Sequence, residues 1–378
     1  MSRILAVVDL QFGSTGKGQI AGTLAHSLKY KPDTVVTAWG PNAGHTFNHK
    51  GRKFVHTMLA TSALAPSIRD ILIGPGSVIN LENLAAEINA AADLLVGKNL
   101  ILHPQAAIVK QHHREAEADL VKIGSTMKGT MEAAYGKMRR FTEYANVVKS
   151  MKKEVYDVLS EPILKAGMSL SSLSSHVYDR AIDRAEMLFM EGAQGFSLGI
   201  HTDFYPYTTS RDVSTAQMMA DCRVPYTRSI DVLGVCRTYP IRVANRYVGS
   251  EMIGTSGPCY GDQKEITWEN IGREPELTTV TKLPRRIFTF SDIQIQQAAR
   301  VMGCSHVALT FCDYIDPTDH GTGYGMVGHD VEVLIGRIKK ATGRSVSYLS
   351  YGPRSEDVFD IMKDRTDNVH VLNGRVLP

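Results

Sequence analysis

The apolar run Ile4-Leu5-Ala6-Val7-Val8 is closed by Asp9 and breaks into Gly13-Ser14-Thr15-Gly16-Lys17-Gly18, after which a helix-forming segment runs from Ile20 to Leu28. A short β-branched-rich run, then glycines, then a helix reads as strand, loop, helix. Glycine tolerates positive φ, so the loop can turn several backbone N–H groups and a helix N-terminus toward one point, where an anion sits well. Lys17 adds a mobile positive charge at that point. A second polar turn, Gly40-Pro41-Asn42-Ala43-Gly44-His45-Thr46, would bring an imidazole to the same edge of the sheet. The spelling is not the usual phosphate loop, because Lys17 stands four residues after Gly13 and is followed by Gly18 where Ser or Thr is expected. Phosphate binding therefore competes here with a plain structural turn.

Further strand candidates at 33–38, 70–73 and 99–103 repeat the apolar pattern. Asn80 can cap a helix through Leu81, Leu84, Ile88 and Leu95, whose spacing gives one apolar face. Strands alternating with helices predict an α/β chain with a mostly parallel sheet flanked by helices. Residues 105–175 read as a helical insertion, interrupted at Gly124-Ser125-Thr126-Met127-Lys128-Gly129. A strand at 187–190 runs into Glu191-Gly192-Ala193-Gln194-Gly195, and such a loop at a strand's C-terminal end is where open α/β sheets bind ligands. Residues 230–243 read as an extended pair. Residues 245–285, rich in Gly, Pro, Thr and charge, read as long active-site loops. A capped helix from Ser291 to Met302, a strand at 306–309, a helix at 331–341 and a strand at 345–349 complete the pattern. All 378 residues are expected to form one domain with these subregions.

With 42 basic and 39 acidic residues the formal charge is +3, which argues against a protein that coats nucleic acid. Five cysteines without Cys-x-x-Cys spacing argue against a zinc or disulfide framework and for a reducing cytoplasm. The first apolar run is short for a signal peptide, and nothing approaches a membrane span.

Gly13-x-x-Gly16-Lys17-Gly18 followed by Asn42-Ala43-Gly44-His45-Thr46 resembles the adenylosuccinate synthetase family. The likeness recurs in order at Glu191-Gly192-Ala193-Gln194-Gly195, Tyr205-Pro206-Tyr207-Thr208-Thr209-Ser210, Pro284-Arg285-Arg286 and Gly352-Pro353. The resemblance implies a P-loop-NTPase-like fold and a homodimer. Where the family's loop carries an aspartate as general base, this chain has Ser14. That pattern is similar to the viral branch of the family, which acts on deoxyguanylate rather than inosinate and would work in the host cytoplasm.

The resemblance also implies roles. Lys17 would contact the transferred phosphoryl group, within a donor site of Gly13, Thr15, Gly16, Lys17 and Gly18. His45 would stabilise the developing 6-oxyanion of the purine, although a lone histidine is by default structural. Ser14 and the Gly44 carbonyl would help to hold Mg²⁺, which prefers oxygen ligands. Ser14 donates one hydroxyl but is no base near neutral pH, so Asp9 or a water is left to take the N1 proton. Asn42, Ser125, Thr126, Gln194 and Thr209 would hold dGMP with Ser14. Arg139 or Arg140 would reach the nucleotide phosphate across a dimer interface, Arg140 being the one taken here; a solvated basic helix end is the bland alternative. Thr281 and Arg285 would recognise the carboxylates of L-aspartate, since guanidinium pairs bidentately with such groups. Leu283 stands where the family has an arginine near the ribose 2′-hydroxyl, which fits a deoxynucleotide. Asp313, Ser350, Gly352 and Pro353 resemble the elements that hold the donor base. Phe311 replaces a lysine there, which opens the site to ATP or dATP as well as GTP.

The expected activity is a ligase joining dGMP to L-aspartate, driven by a purine triphosphate through a 6-phosphoryl intermediate. An adenylosuccinate synthetase using IMP and GTP, or a non-catalytic nucleotide-binding paralogue, are the alternatives.

Overall fold

Leu5 and Val7 of the first strand point into one buried apolar cluster, whereas Ile4, Ala6 and Val8 point into another. Successive side chains of a strand face opposite ways, so a strand buried on both faces belongs in a sheet covered on both sides. The structure is a computed structural model that describes residues 3–123, 125–140, 144–278, 282–315, 327–362, 370–372 and 375–377.

The sheet has ten strands, in the order Val358–Asp360, Val346–Ser350, His306–Thr310, Ser229–Arg237, Arg3–Asp9, Met187–Glu191, Thr34–Thr37, Asp70–Ile73, Asn99–Leu102 and Ser169–Leu170. All neighbours run parallel except Val346–Ser350 and Val358–Asp360, which are antiparallel. The helices Lys17–His26 and Leu81–Ala90 and the described part of Tyr144–Lys165 cover one face. The helices Ser175–Arg184, Thr215–Asp221, Asp292–Met302 and His329–Thr342 cover the other. Parallel strands deliver all their C-terminal ends to one edge, where the loops after Asp9, Thr37, Glu191, Arg237 and Thr310 gather.

The expected caps are present. Asn80 Oδ1 accepts from Asn83 N at 2.8 Å, and Ser291 Oγ accepts from Gln294 N at 2.8 Å. Two expectations need revision. Residues 230–243 are not an extended pair: Ser229–Arg237 lies inside the parallel sheet, and Ile241–Arg242 joins a small antiparallel sheet with Arg286–Phe288 and Glu265–Ile266. The buried run from Val232 to Arg237 reads as well for an inner parallel strand as for a hairpin arm, and burial on both faces decides between them. Within 105–175, Ser169–Leu170 adds the edge strand of the main sheet, since its backbone finds partners on Asn99–Leu100. No helix among the described residues is long and apolar enough to cross a membrane.

Candidate active site

Asp9 shapes the loop that follows it. It is 1% exposed; its Oδ1 accepts from the backbone N–H of Gln11 at 2.9 Å and of Gly13 at 3.3 Å. Its Oδ2 accepts from the Thr15 hydroxyl at 2.6 Å and lies 3.7 Å from Lys17 Nζ. Gly13 (φ 89°), Ser14 (φ 56°) and Gly16 (φ 76°) all take left-handed conformations, which explains two glycines of this turn. The helix Lys17–His26 starts directly after Gly16 with no side-chain cap, so its first N–H groups remain open toward the loop.

The second turn packs against that helix start. A Cβ on Gly18 would lie 3.0 Å from the Thr46 carbonyl oxygen and 3.1 Å from His45 Cβ, which only a glycine allows comfortably. The third turn, after Glu191, closes in from the other side. A Cβ on Gly195 would sit 2.7 Å from Asp9 Oδ1 and closer still to Gln11 O and Gly13 N. Three loops thus meet over the ends of adjacent strands.

They wall a cavity of about 540 Å³. Gly13, Ser14, Lys17, Asn42, Gly44, His45, Ser125, Thr126, Gln194, Thr209 and Arg285 all line it. Lys17 and His45 therefore face one space. Arg242, Arg246 and Lys128 line it too, so the walls are strongly cationic. The acidic lining residue Glu117 accepts from the backbone N–H groups of Gly129 and Met131, each at 2.7 Å, and so caps a helix. Such walls suit a nucleotide phosphate together with a dicarboxylate.

His45 is held from behind. Its Nδ1 lies 2.8 Å from Glu191 Oε1, and the Trp39 ring packs on the imidazole with centroids 4.2 Å apart. Glu191 also accepts from Thr61 Oγ1 at 3.0 Å and from Ser62 Oγ at 3.1 Å. Burial alone would raise the Glu191 carboxyl, but these donors, His45 first, bring it below its ordinary range. Burial pushes the His45 imidazole down, against the pull of Glu191. The resting pair is thus a carboxylate and a neutral ring that donates from Nδ1, with the ring almost wholly buried at the cavity wall. Negative charge developing opposite that ring would draw a proton onto it.

Other expected site residues lie outside the cavity walls. Thr15 is fully buried and spent on Asp9. Gly16 instead approaches Phe311, whose ring a Cβ would meet at 3.5 Å. Asp313 is buried with its Oδ2 3.3 Å from Arg273, which also donates to its carbonyl. Ser350 donates to Gly352 O at 3.0 Å, and Pro353 O accepts from Asn48 Nδ2 at 2.8 Å. Gln19, on the first helix, accepts from Asn48 N at 2.8 Å and donates to Ser355 at 3.3 Å. The elements expected to hold the donor therefore lie beside the loop and outside the cavity walls. Arg139 and Arg140 both sit at the exposed end of the helix Thr130–Met138, away from the cavity of their own chain. Thr281 lies outside the described residues. Leu283 is 38% exposed and does not line the cavity.

Sequence reasoning named Glu191 only as part of a motif and missed Arg237 and Arg242. A carboxylate ending an otherwise apolar strand was the available signal for Glu191. Arg242 lies with its guanidinium 4.4 Å from the Phe12 ring centroid, and burial lowers it to about 9, so it stays charged at neutral pH.

The adenylosuccinate synthetase family model matches residues 6–162 and 143–324. The N6-succino-2-amino-2′-deoxyadenylate synthase of Salmonella phage PMBT28 is 46% identical over 93% of this chain and 96% of its own. The enzyme of the same name from Acinetobacter phage SH-Ab 15497 is 42% identical, over 98% of this chain and 97% of its own. The solved cyanophage S-2L succinoaminodeoxyadenylate synthetase, bound to dGMP and to dATP as an energy donor, superposes with a TM-score of 0.80 at 38% identity, covering 95% of each chain. Matches of this extent run through the same loops that build the cavity, and the chain belongs to the adenylosuccinate synthetase family.

Proposed function

We propose that this carbon–nitrogen ligase condenses dGMP with L-aspartate to N6-succino-2-amino-2′-deoxyadenylate, driven by a purine triphosphate. The observation that carries this reading is the agreement, over 95% of both chains, with the cyanophage enzyme solved with dGMP and dATP. In the first step the γ-phosphoryl group passes to O6 of the guanine as N1 loses its proton. The α-amino group of aspartate then attacks C6, and the C6–O6 bond breaks with departure of phosphate. Positioning and charge neutralisation carry most of such chemistry.

This chain's residues divide that work. Lys17, standing at the helix N-terminus on the cavity wall, neutralises the moving phosphoryl group. His45, backed by Glu191, stabilises charge at O6 and takes up a proton from solvent as that charge grows. Asn42, Ser125, Thr126, Gln194 and Thr209 hydrogen-bond the nucleotide, and Arg285 receives the aspartate carboxylates together with Thr281. Both oxygens of Asp9 are engaged inside the loop, so the N1 proton goes to a water held at Ser14 rather than to Asp9.

Gly13, Thr15, Gly16 and Gly18 cradle the donor phosphates, and Asp313, Ser350, Gly352 and Pro353 frame the donor base. The ring of Phe311, beside Gly16, can stack on either purine, which admits ATP or dATP as well as GTP. Ser14 and Gly44 would hold Mg²⁺, since both offer the oxygen ligands that ion prefers. That ion would supply charge neutralisation for the donor phosphates. A homodimer in which Arg140 reaches the partner's nucleotide phosphate accounts for an arginine that faces away from its own cavity.

The test is phosphate release with dGMP, GMP, dIMP and IMP against ATP, dATP and GTP, with and without aspartate. Release with IMP but none with dGMP would sink the proposal.

A further inference from the structure

Arg237 is the last residue of its strand and is fully buried, yet it lies outside the cavity. Its backbone is clamped to the side chain of Gln11: Arg237 N donates to Gln11 Oε1 at 2.9 Å, and Gln11 Nε2 donates to Arg237 O at 3.1 Å. Its guanidinium then reaches three separate elements. One nitrogen donates to the Ser14 carbonyl at 3.0 Å. Both terminal nitrogens pair with the Glu276 carboxylate, one of them at 3.3 Å. The face of the group lies 3.8 Å from the centroid of Phe311.

Glu276 leads onward. Its backbone carbonyl accepts from Arg285 N at 2.8 Å, and its carboxylate accepts from the Tyr314 hydroxyl at 3.0 Å. Arg285 lines the cavity, as does Ser14. The Ser14 carbonyl is thus turned away from the cavity, which leaves the side chain of this left-handed residue to face it. An ion pair between a buried arginine and a partly buried carboxylate gives little net stability, because desolvation offsets its attraction, so its use is better sought in what it orients. Only a planar fork with several fixed donors can serve a carbonyl and a carboxylate while stacking on a ring.

We infer that Arg237 is a positioning residue that couples the phosphate loop at Ser14 to the amino-acid seat at Arg285 through Glu276. Seating the amino acid and setting the phosphate loop are then one event. This role rests on the reading of the chain as a dGMP–aspartate ligase and names how that site is organised.

The experiment is steady-state kinetics on the full chain with dGMP, L-aspartate and dATP, comparing Arg237→Lys, Glu276→Gln and the double variant. Lysine keeps the charge and loses the fork. Arg237→Lys is expected to lower kcat by about tenfold and raise the aspartate KM by about fivefold, leaving the dGMP KM within about twofold. Glu276→Gln should reproduce the aspartate effect, and the double variant should be no worse than Arg237→Lys alone, because both act through one link. A melting temperature and dGMP affinity near those of the unsubstituted chain establish that Arg237→Lys folds. A uniform rise in all three KM values with additive losses in the double variant would mean a merely structural arginine and would overturn the role. So would an Arg237→Lys enzyme with unchanged kcat and aspartate KM. An unsubstituted chain without aspartate-dependent turnover overturns the functional reading itself, and this role with it.

Discussion

His45 Nδ1 and Glu191 Oε1 stand 2.8 Å apart in a spot where both side chains are almost wholly excluded from solvent. Glu191 ends an inner strand, and His45 begins a hairpin that pairs it with His56. The sheet holds Glu191, while the hairpin and the Trp39 ring hold His45, so the ring is fixed before any substrate arrives. His45→Asn should cut aspartate-dependent phosphate release by about 10²–10⁴ while dGMP still binds. Glu191→Gln keeps the shape but removes the charge that favours a protonated ring, and a loss of about tenfold or more in kcat is expected. Phosphate-release kinetics beside calorimetric dGMP binding measures both.

Ser14 has φ 56°, a conformation that aspartate and asparagine tolerate better than most residues. Ser14→Asp should therefore fold. On the proposed reading it would place a carboxylate against the amino-bearing edge of guanine, and dGMP turnover should drop by about tenfold or more. An enzyme as active on dGMP as before would show that the hydroxyl is not what admits this base.

Gly195→Ala puts a methyl group against Asp9 and the backbone of Gly13. The turn after Glu191 and the loop from Asp9 to Gly13 would have to separate, at a cost of about 1–3 kcal/mol. Activity should fall further than stability, because the displaced atoms belong to the loop. Chemical denaturation and kcat on the same sample separate the two effects.

Burial lowers His26 and His103 each to about 4, and it lowers the buried His45 and His56 as well. In the unfolded chain such rings bind a proton near pH 6.5. Between that value and about 4 the unfolded state holds more protons, so stability is complete above pH 6.5 and is lost as pH falls toward 4. The melting temperature should drop by at least a few degrees from pH 7 to pH 5, and a flat profile would contradict these burials.

Arg140 is exposed and stands off its own cavity. If it serves a partner's nucleotide, Arg140→Ala and Lys17→Ala are each inactive alone but regain activity when mixed, because a mixed dimer contains one intact site. No recovery on mixing, in a sample shown to exchange subunits, would rule out the shared site.

Much of this site could be read from local pattern. The loop from Gly13 to Gly18, the turn ending in His45 and the strand running into Glu191 each pair an apolar run with glycines and a polar residue, and backbone geometry alone makes that a ligand edge. The caps at Asn80 and Ser291 were legible for the same reason. Ser229–Arg237 was misread because burial on both faces is set by what packs on it, which no alternation reveals. Arg237 and Glu276 were invisible for a deeper reason: Arg237 closes an apolar strand and Glu276 sits in a polar loop, and only folding brings 14, 237, 276 and 311 together. Asp9 looked like a spare carboxylate until its hydrogen bonds showed it holding the loop.

The most direct measurement is phosphate release from dATP by the full chain with dGMP and L-aspartate, set beside IMP and L-aspartate. Release that needs both dGMP and aspartate, with the succinylated 2-aminoadenine deoxynucleotide as product and little turnover of IMP, is the expected result. Turnover of IMP with dGMP inert, or hydrolysis indifferent to aspartate, would contradict it.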